Sequence, residues 1–86
     1  MDTIWKYEVI VNDEFELELP LGFNVLTVQI QNGQPCVWVI VDTEAEMKKY
    51  RFGIYGTGNP ISKDILRRYI GTFQQRGCVW HLFELT

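Results

Sequence analysis

Few side chains in this sequence offer chemistry, and their spacing limits what they can do. The only imidazole is His81, and the nearer of two thiols, Cys78, stands three positions before it. Along a strand an odd separation sends side chains to opposite faces, so this pair cannot serve as base and nucleophile from one strand. Cys36 meets His81 only if a sheet brings the two together. A histidine between Trp80 and Leu82 reads as a packed or hydrogen-bonded ring, and hydrolysis through His81 ranks last among the readings. Glu14, Glu16 and Glu18 share one side of an alternating segment, where they repel one another and face water. They do not suggest the carboxylate pair of a glycosidase. One His and two distant Cys fall short of a zinc site. The chain is read as not an enzyme, with no catalytic residue, metal ligand or cofactor.

A more informative stretch is Gly56-Thr57-Gly58-Asn59, where two glycines flank a hydroxyl. Such a loop can turn its N–H groups toward an anion, although both the P-loop and the dinucleotide-binding patterns are missing. The plain alternative is a glycine-bearing turn. Nearby in sequence lie Tyr55, Lys63, Arg67, Arg68, Tyr69, Thr72 and Gln74. Basic residues beside aromatic ones suit a phosphorylated or nucleobase-bearing ligand, and equally suit arginines that cover apolar surface with their stems. With Trp80 and His81 added, the candidate ligand-binding set is Tyr55, Gly56, Thr57, Gly58, Asn59, Arg67, Arg68, Tyr69, Trp80 and His81.

The elements that must position these residues read mainly as strands, because the dominant hydrophobic period is two. Trp5, Tyr7, Val9 and Val11 share one face, and Phe15, Leu17 and Leu19 another, with Asn12-Asp13 between them. The spacing predicts an N-terminal hairpin. A second hairpin places Leu26, Val28 and Ile30 inward and turns at Asn32-Gly33, where both residues tolerate positive φ. Its return strand, Cys36 to Val41, is apolar on both faces and belongs in the centre of a sheet. Lys49 to Tyr55 alternates again. Ser62 starts a segment to Tyr69 that suits a two-turn helix, and a last strand pair joins around Gln75-Arg76-Gly77. The expected fold is all-β, or mainly β with one short helix: a single antiparallel sandwich or partly open barrel of about seven strands over residues 1–86.

Composition narrows the partners. The net charge of −3 lacks the basic footprint of a duplex nucleic-acid binder, and the longest apolar run, Cys36 to Val41, is too short to span a bilayer. No signal peptide is recognised, which places the protein in a cytoplasm where both cysteines stay reduced. Three Trp, four Tyr and five Phe exceed what so small a core needs, which favours a homo-oligomer or a ligand pocket.

Four segments carry a resemblance across most of the chain: Leu26 to Trp38, Tyr55 to Ile61, Tyr69 to Gln74 and Val79 to Glu84. In this order they resemble a family of small proteins encoded by tailed bacteriophages and prophages. Where that family often has a histidine before the proline of the Gly-Thr-Gly loop, this sequence has Asn59, which changes the donor and acceptor pattern there. The resemblance implies a host-cytoplasmic protein acting against host immunity. Its ligand would be a phosphate-bearing nucleotide signal, sequestered by an oligomeric sponge. Loop N–H groups and Arg67-Arg68 would hold phosphates while Tyr55, Tyr69 or Trp80 stacks on a base. The alternative is a protein-binding inhibitor of a host effector or a minor virion component, docking through the acidic strand Glu14 to Glu18.

Overall fold

The computed structural model describes residues 1–86 and contains seven strands and no helix: β1 (Asp2–Glu8), β2 (Phe15–Pro20), β3 (Asn24–Gln31), β4 (Gln34–Asp42), β5 (Met47–Gly56), β6 (Arg67–Gln75) and β7 (Cys78–Leu85). With no helix present, none is long and apolar enough to cross a membrane. The strands form two antiparallel sheets, one of order β1-β4-β3 and one of order β2-β5-β7-β6. Packed face to face, they make an all-β sandwich that does not close into a barrel.

β4 takes the central place that its two apolar faces demand. Val37, Val39 and Val41 are at most 1% exposed and point into the core, while Cys36, Trp38 and Ile40 lie on the outer face. From the four-stranded sheet Leu19, Phe52, Ile54, Phe73 and Leu82 meet these valines. Phe23 packs edge-on against Tyr50 and tilts over Phe52, so much of the aromatic surplus fills the core. Asn32 (φ 52°) and Gly33 (φ 78°) make the expected turn between β3 and β4. Arg76 (φ 53°) and Gly77 (φ 79°) do the same between β6 and β7.

Three expectations are corrected. β1 and β2 do not form a hairpin: β1 pairs with β4 and β2 with β5, in different sheets. The alternation runs on to Val11 because residues 9–14 cross between the layers, with Val9 buried and its N–H on Pro35 O. Second, β3 carries a bulge between Val25 and Thr27. The bulge leaves Leu26 48% exposed and turns Val25 inward in its place. Third, Ser62 to Leu66 is a turn, not a helix. β5 and β6 flank β7 and run parallel to each other, so their connection must travel back along the outer face of the sheet. Ten residues suffice for that only if they stay mostly extended.

Two contacts hold the layers together. The Tyr7 hydroxyl donates to Glu18 O at 3.0 Å, tying β1 to β2 across the sandwich. Burial, and then the Glu18 charge, push the Tyr7 phenol above its ordinary pKa. On the other side β3 packs against β6 at Gly71, where a Cβ would come within 2.8 Å of Val28 Cγ1. At the chain start the Met1 ammonium lies 3.3 Å from Asp42 Oδ1. The Glu44 N–H, and then that ammonium, hold the Asp42 carboxyl below its ordinary pKa.

Gly71→Ala should cost about 1–3 kcal/mol by overpacking, and Val28→Ala in the same chain should recover part of it, measured as a denaturant double-mutant cycle. A folded-state pKa raised at Tyr7 stabilises below the ordinary phenol pKa, and that contribution fades as pH rises through the raised value. Tyr7→Phe should therefore flatten the alkaline limb of a melting-temperature profile. Asp42 has the opposite sign. Its stabilisation is present above the ordinary carboxyl pKa and is lost as pH falls, so Asp42→Asn should remove a small acid-side slope.

Candidate functional site

The outer face of the four-stranded sheet carries Tyr55 from β5, Tyr69 and Thr72 from β6, and His81 and Phe83 from β7. The register sets Tyr55 and Thr72 on either side of His81. The imidazole binds Thr57 Oγ1 through Nε2 at 2.8 Å and Thr72 Oγ1 through Nδ1 at 3.0 Å. Thr72 Oγ1 in turn meets the Tyr69 hydroxyl at 2.6 Å. The result is a hydroxyl–imidazole–hydroxyl chain with no carboxylate to orient the ring. It satisfies His81 in either protonation state, because each threonine hydroxyl can donate or accept.

Tyr55 and Tyr69 both pack edge-on against Phe83, with ring centroids 6.0 and 5.7 Å away. Tyr55 is only 6% exposed, its ring lying over Gly53. It has no face left to stack on a ligand. Tyr69 is 57% exposed and keeps that capacity.

Gly56 to Asn59 forms a tight turn, closed by Asn59 N–H on Gly56 O at 3.0 Å and with Gly58 at φ 88°. These features match a type II turn, which needs glycine at its third position. Thr57 N–H donates to Val79 O at 3.1 Å. Two of the loop amides are thus committed within the chain and do not face an anion. Beside this turn lies the Gln75-Arg76-Gly77 turn, since β5 ends where β7 begins. Between them is a groove of about 410 Å³ lined by Gly56, Thr57, Asn59, Gly77, Cys78, Val79 and Trp80. A Cβ on Gly56 would lie 2.9 Å from Asn59 Nδ2 and 3.1 Å from Trp80 Cζ3, so the bare backbone there lets amide and indole close in.

The arginines stand elsewhere. Arg67 pairs with Leu85 and Arg68 with Glu84 in the β6–β7 register, whereas Trp80 pairs with Phe73 and with Gly56 at the far end of β7. Four residues at about 3.3 Å each put roughly 13 Å between the two ends. The arginines also point to opposite faces. Arg67 donates to Ser62 O and Ile65 O, pinning the crossover turn, and Arg68 pairs with Glu84 at 2.7 Å. The structure therefore brings Gly56, Thr57, Asn59 and Trp80 together at the groove, with Gly58 in the same turn, sets His81 on the opposite face of β7 where it bonds Thr57 and reaches Tyr69 through Thr72, and leaves Arg67 and Arg68 apart. The acidic strand is partly countered as well: Glu14 binds Arg51 at 2.6 Å, and Glu16 and Glu18 sit opposite Arg51 and Lys49 in the register without forming ion pairs.

Two features at this end of the sheet, one inside the groove and one beside it, carry no mark in the sequence. Cys78 is a free, exposed thiol inside the groove, while Cys36 is buried. Arg76, in the adjoining turn, is exposed, forms no ion pair and lines a separate hollow with Val9, Ile10, Gln34 and Pro35. Only the β5–β7 register reveals them, and no local signal encodes it. No three His, Cys, Asp or Glu residues are grouped to hold a metal ion. A thiol reagent should label Cys78 at once in the native protein and reach Cys36 only after unfolding, as read by mass spectrometry.

Among known proteins, no curated sequence and no solved structure matches this chain. A family match does exist, and it runs over residues 1–86 without interruption. By that match the chain belongs to the family described as Domain of unknown function (DUF7352).

Proposed function

We propose that this protein is a non-enzymatic binding protein that sequesters a small molecule carrying a planar, base-like ring. The observation that carries this reading is the groove between the Gly56–Asn59 and Gln75–Gly77 turns. There an indole, a carboxamide, a hydroxyl and a bare glycine backbone converge on about 410 Å³. Small-molecule sites are concave and place a few polar groups against apolar walls, and this is the combination at Trp80, Asn59 and Thr57. In this reading the ring rests against Trp80 while Asn59 and Thr57 read its edge. A phosphate at the groove mouth lies beside the Gln75–Gly77 turn that carries Arg76, and away from Arg67 and Arg68.

The resemblance to phage-encoded proteins sets the biological frame: an anti-defence sponge in the host cytoplasm, holding a nucleotide-type immune signal. Sequestration needs no catalytic group, and the His81 ring, bonded by two hydroxyls, serves here only to hold the turn that carries Thr57. A second reading, a protein-binding inhibitor or minor virion component, draws on a different observation. Leu21 and Met47 are 53% and 45% exposed at the adjoining ends of β2 and β5, where Met47 pairs with Pro20 and Leu21 N–H bonds to Glu46 O.

Titration with cyclic and linear purine and pyrimidine nucleotides, followed by heat and by tryptophan emission, tests the first reading. A binding nucleotide should slow thiol labelling of Cys78. Asn59→Ala and Arg76→Ala should each weaken binding about tenfold, a loss equivalent to about 1.4 kcal/mol, while Arg67→Ala should leave it unchanged. The absence of both heat and Cys78 protection with every one of these nucleotides would overturn it.

A further inference from the structure

Each sheet has two edge strands, β1 and β3 in one and β2 and β6 in the other; β3 and β6 pack together at Val28 and Gly71, which leaves β1 and β2 as the edges on the opposite side. Backbone phase determines which residues present that edge. Val9 N–H donates to Pro35 O, and Thr43 N–H donates to Met1 O. The odd-numbered residues of β1 therefore turn their amides toward β4, and Asp2, Ile4, Lys6 and Glu8 turn theirs outward. On β2, Leu21 N–H donates to Glu46 O, so Glu16, Glu18 and Pro20 present the free edge.

The two edges differ in what a second copy would meet. Antiparallel self-pairing of β2 sets glutamate against glutamate wherever the side chains share a face, and Pro20 offers no N–H. That edge is protected. On β1 the outward residues read acid, apolar, base, acid. Centring an antiparallel β1–β1 pair on Ile4 brings Ile4 against Ile4 and places Asp2 of each copy opposite Lys6 of the other. Shifting the centre to Trp5 sets Asp2 against Glu8, and shifting it to Lys6 sets Lys6 against itself. Charge thus selects one register among those the backbone permits.

The side chains at that centre suit burial. Ile4 is 56% exposed and pairs across the sheet with Ile40, beside a hollow of about 400 Å³ lined by Asp2, Thr3, Ile4 and Ile40. A second Ile4 would extend this into an apolar row running Ile40, Ile4, Ile4, Ile40 across the joined sheets. Lys6 lies on this outer face and in the monomer reaches over β4 to donate to Gln31 Oε1 of β3 at 2.7 Å, so dimerisation exchanges that partner for the second copy's Asp2.

We propose that β1 is a homodimerisation edge: two copies pair antiparallel about Ile4 and join their three-stranded sheets into one six-stranded sheet with the Asp2 and Lys6 side chains interlocked. This interface is separate from the groove and does not depend on what the groove holds. Sedimentation equilibrium of the full chain over a concentration series tests it. The natural sequence should show a monomer–dimer equilibrium. Ile4→Pro should abolish the dimer while keeping the far-ultraviolet spectrum, because the amide it removes bonds to nothing within the monomer. Asp2→Lys should weaken dimerisation about tenfold, and Asp2→Lys with Lys6→Asp should restore it to within about threefold. A natural sequence that stays monomeric would overturn the proposal. So would a folded Ile4→Pro dimer, or a charge swap that remains as weak as Asp2→Lys alone.

Discussion

A strand that is apolar on both faces cannot sit at an edge, and most of this architecture follows from that constraint on β4. With Val37, Val39 and Val41 turned inward and Cys36, Trp38 and Ile40 outward, β4 needs a neighbour on each side. The Asn32-Gly33 turn delivers β3. The other neighbour is β1, taken away from the adjacent β2 by a long-range pairing. β2, so released, lays Phe15, Leu17 and Leu19 on β5 in the second sheet. The sandwich then closes at one side through Gly71 and Val28 and stays open at the other, where Tyr7 reaches across to Glu18 O.

The same layout decides where binding groups gather. Because β5 and β7 are antiparallel, the turn that ends one lies beside the turn that begins the other. Their side chains share a groove although some twenty residues of chain separate them. The crossover from β5 to β6 instead carries Arg67 and Arg68 to the opposite end of the sheet. Arg67 holds that crossover by its carbonyls, and Arg68 neutralises Glu84, whose side chain is only 15% exposed. Both arginines have structural work where they stand.

What the sequence made legible was local. Period-two alternation and the Asn32-Gly33 and Arg76-Gly77 turns depend on neighbouring residues, and they gave the strand count and fold class. The pairings of β1 with β4 and β2 with β5 are set by layers meeting in space, so proximity in sequence misled at the N-terminal hairpin. Leu26 lost its inward place to a bulge, which shifts the side-chain phase with no sequence mark beyond an ordinary leucine. Ser62 to Leu66 carries helix-capping chemistry, but the distance the crossover must cover leaves room there for a single turn, closed by Ile65 N–H on Ser62 O. The split of Arg67 from Arg68 was readable. The alternation that separates Cys78 from His81 also sends two consecutive strand residues to opposite faces.

The most direct test of the account is native mass spectrometry of the intact protein, purified from cells with nucleotide-based immune signalling triggered and from untriggered cells. Sequestration in the Trp80 groove predicts a retained mass of nucleotide size that is present after triggering, absent without it, and lost in the Asn59→Ala protein. A bare protein of the same mass in both preparations would contradict it.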